Sequence, residues 1–262
     1  ISIDSRNIKK KNFFIPIEGK NFDGHNFIDE ISKIGIRACL VEKKKAHLIK
    51  NKKIHKIFVN NTQESLKKLA SFARQRAKNL KMVCITGSSG KTTLKEWLKT
   101  ILKANEKIFF NYGNFNNLIG MPLTLVNMPL TTKYCILELG MNQYGEIKEL
   151  SKIAQPNISI ITNIGTAHIG NFKNKIDIAK EKSDIFKFLT KESIALVPGD
   201  TLYFKTIFNK AKKKTNNIII FGKNENFDFR FRKKNDKHFE FFILNENITI
   251  KKNYNFSFWE NN

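Results

Sequence analysis

The stretch Val83-Cys84-Ile85-Thr86-Gly87-Ser88-Ser89-Gly90-Lys91-Thr92-Thr93 runs from an apolar segment, through a small glycine-bearing turn, into Lys-Thr-Thr. Beyond it Leu94, Trp97, Leu98, Ile101 and Leu102 recur at helical spacing and predict a helix with one apolar stripe. Strand, turn and helix in this order form the layout of a phosphate-binding loop. Gly87 and Gly90 let backbone N–H groups close on phosphate oxygens, and a helix N-terminus adds a favourable dipole. In that layout Thr86, Gly87, Ser88, Ser89, Gly90, Lys91, Thr92 and Thr93 surround the nucleotide phosphates. Lys91 reaches the β- and γ-phosphates and the Thr92 hydroxyl ligates Mg²⁺. The general pattern asks for glycine at position 85, where isoleucine stands.

Outward from this loop, strand-like and helix-like segments alternate. Tyr134–Leu139, Ile158–Thr162, Ile194–Val197 and Ile218–Phe221 read as strands. Between them, Ile147 to Ala154 and Ile176 to Leu189 read as helices, and a basic helix precedes Ile218. Such alternation predicts an α/β domain, a mostly parallel sheet with helices on both faces. After Gly222, Phe227, Phe229 and Phe231, then Phe239, Phe241 and Ile243, alternate with polar residues, predicting antiparallel strands with one wet face. Ahead of the loop, residues 1 to about 60 read as a smaller α/β unit. Its strands are Phe13–Ile17, Ala38–Val41 and Ile57–Val59, and a helix over 27–34 ends at Gly35. A helix starting near Asn61-x-x-Glu64 runs to about Leu80 and links the units. The division expected is 1–78 for a small N-terminal domain and 79–262 for the phosphate-loop domain.

The bulk properties narrow the partners. At 262 residues the chain can bury a substantial core. Its formal net charge of +24 invites a nucleic-acid reading. The lysines, however, are spread through a sequence rich in Lys, Asn, Ile and Phe, so composition explains the charge and nucleic acid is not the expected partner. Cys39, Cys84 and Cys135 each lie in apolar stretches without C-x-x-C spacing, which suits reduced buried thiols and a cytoplasmic setting. No apolar run approaches the ~18 residues of a membrane span. The sequence opens at Ile1 and enters a motif at once, so the true N-terminus is expected to lie further upstream.

Polar residues collect at the carboxyl ends of the predicted strands, where open α/β sheets bind ligands. Glu138 closes one strand and can face the phosphate loop, holding Mg²⁺ directly or through water. His168 follows another, in Thr162-Asn163-Ile164-Gly165-Thr166-Ala167-His168. Tyr112 to Thr124 is an amide-dense loop, suited to a sugar or peptide ligand.

Together these pieces resemble the Mur ligase family, which builds the cell-wall peptide by ATP-dependent amide formation, and within it the MurF type. The resemblance rests on Ile85 to Glu96, the Gly113-Asn114 to Leu125 loop, Leu137-Glu138-Leu139-Gly140-Met141-Asn142 with Gly145-Glu146-Ile147, and Thr162 to His168 with Ala179-Lys180-Glu181-Lys182. Asp4-Ser5-Arg6 and Asp23-Gly24-His25-Asn26-Phe27 resemble the family's UDP-sugar domain. It covers about residues 3 to 222.

The resemblance implies an enzyme that adds D-Ala-D-Ala to UDP-N-acetylmuramoyl-tripeptide through an acyl phosphate, acting as a monomer. It implies Lys91, Glu138, His168 and Lys182 as catalytic residues. Two Mg²⁺ ions are implied, one on Thr92 and Glu138, the other on His168 and a carbamylated Lys182, with Lys180 as the alternative lysine. Ser5, Arg6, Asp23, Gly24 and His25 are implied to contact the UDP-sugar, and Asn114, Asn117 and Asn163 the muramoyl-peptide. Tyr144 stands where the family commonly has proline, and Pro198-Gly199-Asp200 replaces a stretch that usually carries asparagine before the aspartate. The family's third domain, which brings the amine substrate, is not expected within these residues, so the chain alone is expected to bind without ligating. The competing readings are another Mur or folylpolyglutamate-type ligase, a basic nucleic-acid-binding NTPase, and a non-catalytic binding module.

Overall fold

The computed structural model describes residues 1–10, 12–103, 106–167, 169–235, 238–243 and 246–251. They divide into two compact units. The first comprises Ile1–Lys78 together with Tyr112–Leu130, and the second comprises Asn79–Asn111 and Thr131 onward. The chain leaves the first unit after Lys78 and returns to it for nineteen residues, Tyr112–Leu130.

In the first unit, α1 (Ile28–Lys33), β1 (Ala38–Glu42), β2 (His55–Val59) and α2 (Thr62–Arg76) follow the expected order. β1 and β2 pair in parallel. Phe13–Ile17, expected as a strand, is an extended segment that makes only single bridges from Phe14 to Ser2 and to Cys39. Pro16 has no N–H to donate, which stops the ladder there. The returning segment contains α4 (Gly120–Val126), which the sequence reading left as loop. Ile119 and Val126 pack on a core of Ile15, Ile17, Leu40 and Leu66. Asn127 closes the unit by donating to the Ile1 carbonyl at 3.0 Å.

The second unit is built on nine strands: β3 (Lys81–Thr86), β4 (Ile108–Phe110), β5 (Tyr134–Glu138), β6 (Ile158–Ile161), β7 (Ile194–Pro198), β8 (Asn217–Gly222), β9 (Phe229–Asn235), β10 (His238–Ile243) and β11 (Glu246–Lys251), in the order β11-β10-β9-β8-β7-β6-β3-β5-β4. From β4 through β9 every pairing is parallel, and β9, β10 and β11 are antiparallel. Helix α3 (Lys91–Lys103) lays Leu94, Leu98 and Leu102 on Val83, Ile85, Ile136 and Ile160. Residues on the other face, such as Ser159, look toward the turn at Asp184–Phe186, where Ser159 and Ser151 of α5 (Glu146–Ala154) both donate to the Ile185 carbonyl. Helices thus cover both faces, as the alternation predicted.

Three expectations need correction. Trp97 and Ile101 do not join the buried stripe of α3; they are 50% and 69% exposed, whereas the i, i+4, i+8 row of Leu94, Leu98 and Leu102 packs on the sheet. The helix expected over 176–189 ends at Ser183 and tightens into a 3₁₀ turn at Asp184–Phe186, with α6 spanning Lys175–Ser183. The antiparallel strands do not have one wet and one dry face. Glu240 is buried and Ile243 exposed, and Arg230 stacks over the Phe242 ring at 4.5 Å, covering the face the sequence marks as polar.

Helix α2 begins at an Asn61 side chain that accepts from the Glu64 N–H at 2.8 Å. This bond satisfies one of the orphan donors of the first turn. Asn61→Ala should lower the stability of the chain by about 1 kcal/mol, read as a shift in the denaturant midpoint with an unchanged slope.

Candidate functional site

The phosphate-loop turn is formed where β3 ends. Thr86 is buried and its hydroxyl donates to the Leu139 carbonyl at 3.0 Å, tying β3 to the end of β5. Gly87 then turns with no room for a side chain: a Cβ would meet the Thr162 hydroxyl oxygen at 1.8 Å. Gly90 has a φ of +76°, a left-handed conformation that glycine adopts without cost. Lys91, Thr92 and Thr93 occupy the first turn of α3, whose N–H groups helical geometry leaves unpaired and aimed outward.

Side chains from the end of β6 buttress the turn. Asn163 Oδ1 accepts from the N–H of Ser88 at 3.0 Å and of Ser89 at 2.9 Å, while its Nδ2 donates to Ser89 Oγ at 2.5 Å. Thr162 donates to the Ser89 carbonyl at 2.6 Å, and the Gly165 N–H donates to Ser88 Oγ at 2.8 Å.

Two lysines converge on one oxygen. Lys91 Nζ donates to the Gly87 carbonyl at 2.8 Å, and Lys182 Nζ, from α6, donates to the same carbonyl at 2.9 Å. Burial lowers the pKa of both, against the Glu138 charge in the case of Lys91. For Lys182 burial and then the Lys91 charge bring it down to about 7, well below the usual lysine value. Beside Lys182, Glu181 turns the other way and accepts from the Gly145 and Ile147 N–H groups at 2.9 and 3.0 Å, capping α5; burial raises its pKa.

Glu138 is buried at the end of β5 and its Oε2 accepts from the Thr92 hydroxyl at 2.7 Å. A hydroxyl and a carboxylate within one hydrogen bond are the oxygen ligands Mg²⁺ takes. The excess positive charge at the Gly87 carbonyl fits a phosphate chain. Among the described residues no three His, Cys, Asp or Glu side chains cluster closely enough to hold a metal by themselves. His168 lies outside the described residues.

Several of the remaining residues singled out in the sequence engage neighbours within the chain. Asn163, expected at the peptide, has both ends of its amide committed to the phosphate loop. Asn117 Oδ1, expected likewise, accepts from the Ile119 and Gly120 N–H groups at 3.1 and 2.8 Å and starts α4. Asn114 is exposed on its loop. His25, expected at the UDP-sugar, is buried with both ring nitrogens engaged: Nδ1 with Asp23 at 2.7 Å, and Nε2 accepting from the Glu42 N–H at 3.2 Å. That pattern requires the Nδ1–H tautomer. Asp23 also pairs with Lys45, and the lysine and His25 together outweigh burial to hold its pKa at about 2. Gly24 allows close approach, since a Cβ there would meet the Ile17 nitrogen at 2.8 Å. Ser5 is half-buried, and the exposed Arg6 pairs with Asp4 at 3.0 Å. Sequence reasoning missed Thr162, Glu181, Lys95 and Asn111. A position just past a strand end was the available signal for Thr162 and Asn111.

Residues 85–258 match the Mur ligase middle domain, and residues 1–74 match the domain described as Mur ligase family, catalytic domain. The chain is 39% identical over 223 residues to the UDP-N-acetylmuramoyl-tripeptide–D-alanyl-D-alanine ligase of Rickettsia prowazekii, covering 85% of this chain and 49% of that protein. Its fold is similar to the crystal structure of MurF from Acinetobacter baumannii, with a TM-score of 0.87 and 30% identity, covering 95% of this chain and 54% of the other. It is similar also to MurF ligase from Thermotoga maritima in complex with ADP, with a TM-score of 0.81 and 29% identity, covering 95% of this chain and 57% of that one. The chain spans about half the length of the curated relatives it matches. Among the described residues no helix is long and apolar enough to cross a membrane.

Gly87→Ala should destabilise the chain by about 1–3 kcal/mol, because the added methyl overlaps the Thr162 hydroxyl. Adding Thr162→Ala should recover part of that loss. Equal unfolding midpoints for the single and the double variant would show that the clash is not the cause.

Proposed function

The chain belongs to the Mur ligase family, and from that membership we propose that it supplies the nucleotide and UDP-precursor sites of a MurF-type ligase, which joins D-Ala-D-Ala to UDP-N-acetylmuramoyl-tripeptide at the expense of ATP. The observation that carries the proposal is the convergence of Lys91 and Lys182 on the Gly87 carbonyl, beside the Thr92–Glu138 pair. A carboxylate is a poor electrophile at neutral pH. Its transfer to an amine requires activation, here by the γ-phosphoryl group of ATP, followed by attack of the dipeptide amine and loss of phosphate.

In this reading the chain's own residues position and neutralise. Lys91 moves from the Gly87 carbonyl to the β- and γ-phosphate oxygens, countering charge that spreads over the transferred group. The N–H groups of the first turn of α3 hold the remaining phosphate oxygens. Thr92 and Glu138 hold Mg²⁺, which when bound draws charge from the phosphates. Lys182, whose amine is half neutral near pH 7, is the residue able to take up CO₂ and become a carbamate, exchanging a buried cation for an anion. His168 and that carbamate serve a second Mg²⁺. The exposed Arg6 and half-buried Ser5 meet the UDP-sugar, with Asn114 toward the peptide.

Calorimetric titration with UDP-N-acetylmuramoyl-tripeptide, in the presence of Mg²⁺ and a non-hydrolysable ATP analogue, should give binding that UDP-N-acetylglucosamine does not match. Nucleotide binding without that preference would remove the MurF assignment and leave a nucleotide-binding protein. A second measurement addresses Lys182. At a fixed concentration of dissolved ¹³CO₂ the neutral amine fraction rises as pH passes upward through about 7, so a ¹³C carbamate resonance should grow over that interval. Lys182→Met should abolish it, and a signal that survives the substitution belongs to another amine.

A further inference from the structure

Lys95 is a lysine buried to 1% exposure inside a unit that contains a proposed metal site, and none of the roles above uses it. It lies one helical turn beyond Lys91 on α3, and its ammonium donates to the backbone carbonyl of Asn111 at 2.8 Å. Among the described residues its nearest carboxylate oxygen is Glu96 Oε1 at 4.0 Å. Burying an ammonium without a close counter-ion costs several kcal/mol. A methionine of similar length would avoid that cost, so stability alone does not account for Lys95.

Asn111 immediately follows the three-residue edge strand β4. Its buried side-chain amide brackets the main chain of Glu138: Nδ2 donates to the Glu138 carbonyl at 2.9 Å, and Oδ1 accepts from the Glu138 N–H at 3.0 Å. That two-point bracket replaces the strand pairing β4 is too short to provide, since the ladder with β5 ends at Phe110↔Ile136. The bracket holds Glu138 on both sides of its Cα, and so aims the carboxylate that accepts from Thr92. Lys95 fixes the bracket by pinning its backbone, and Lys99, one turn further on, lies over the Phe110 ring at 4.5 Å.

We propose that Lys95 and Asn111 are positioning residues for the Mg²⁺ site, a relay in which α3 sets the end of β4 and the end of β4 sets the Glu138 carboxylate. The inference rests on the proposed function only in taking Thr92 and Glu138 as Mg²⁺ ligands. Neither residue is assigned a nucleotide contact in that reading. Their effect is on how well the carboxylate meets the ion, as outer partners of metal ligands generally act.

The test uses the 262-residue chain, a fluorescent ADP analogue, and Mg²⁺ titrated at constant ionic strength, with thermal unfolding measured in parallel. Asn111→Leu and Lys95→Met should each raise the Mg²⁺ midpoint for nucleotide binding by about tenfold or more, while affinity without Mg²⁺ stays at the parent value. Lys95→Met should do so with an unchanged or higher melting temperature, because it removes a buried charge. In the Asn111→Leu background Lys95→Met should add little, since the bracket it fixes is already gone. Unchanged Mg²⁺ midpoints in both variants overturn the relay and leave the proposed function standing. So do midpoints that shift only in proportion to lost stability, or that add fully in the double variant. A parent chain whose nucleotide binding ignores Mg²⁺ overturns the metal-site reading, and the relay with it.

Discussion

One carbonyl oxygen, that of Gly87, accepts hydrogen bonds from two lysine side chains. The two ammonium groups repel each other, and the Lys91 charge helps to lower the Lys182 pKa. The turn therefore stores an electrostatic debt that three events can relieve. Lys182 can lose its proton, the more readily with a pKa near 7; its amine can be converted to an anionic carbamate; or an anion can enter and draw Lys91 away. The first two lower the positive charge of the turn, and the third is the entry of an anion such as phosphate. The carbonyl tolerates the pair because it is the last backbone acceptor before the chain turns, where no ladder partner competes for it.

Everything near Gly87 limits where that oxygen can point. Thr162 blocks any side chain on the glycine and grips the Ser89 carbonyl. Asn163 holds the Ser88 and Ser89 N–H groups, so the donors left for phosphate are those of the first turn of α3. The loop thus divides its N–H groups between support from β6 and ligand at the helix end. A loop held this way is preorganised, and little backbone ordering remains to oppose binding.

The parallel sheet and the phosphate loop were legible because local chemistry writes them directly: apolar runs of strand length, glycines at the turn, Lys-Thr-Thr at a helix start. Glu138 was legible as a carboxylate at a strand end. What was not legible depends on distant partners. Nothing local to Lys182 says that its amine meets an oxygen 95 residues earlier in the chain. The Asn-rich loop misled for a related reason. An amide that caps a helix and one that faces a ligand look alike in sequence, and the Oδ1 atoms of Asn117 and Asn163 accept from backbone N–H groups. His25 is buried and its Nε2 accepts from the Glu42 N–H at the end of β1, a partner that its local sequence does not announce. The return of residues 112–130 to the first unit is carried by α4 packing near Leu66, a contact that hydrophobic spacing within so short a helix does not announce.

Helix α3 shows how composition can hide function. The sequence reading follows its apolar residues and takes up only Lys91 among its lysines, since lysine is common throughout this chain. Yet Lys91, Lys95 and Lys99 recur at i, i+4 and i+8, which places them along one face of the helix. The first donates to the phosphate-loop turn, the second is buried against the Asn111 carbonyl, and the third covers Phe110. The row next to it, Leu94, Leu98 and Leu102, supplies the packing that fixes the helix on the sheet. Hydrophobic contact thus sets the axis and rotation of α3. Once these are set, the spacing of the lysines determines which groups they reach, so that a rotation of the helix that misplaced Lys95 would misplace Lys91 as well. In a chain with 47 basic residues, the informative cations are those whose burial or partner is inconsistent with a solvated face.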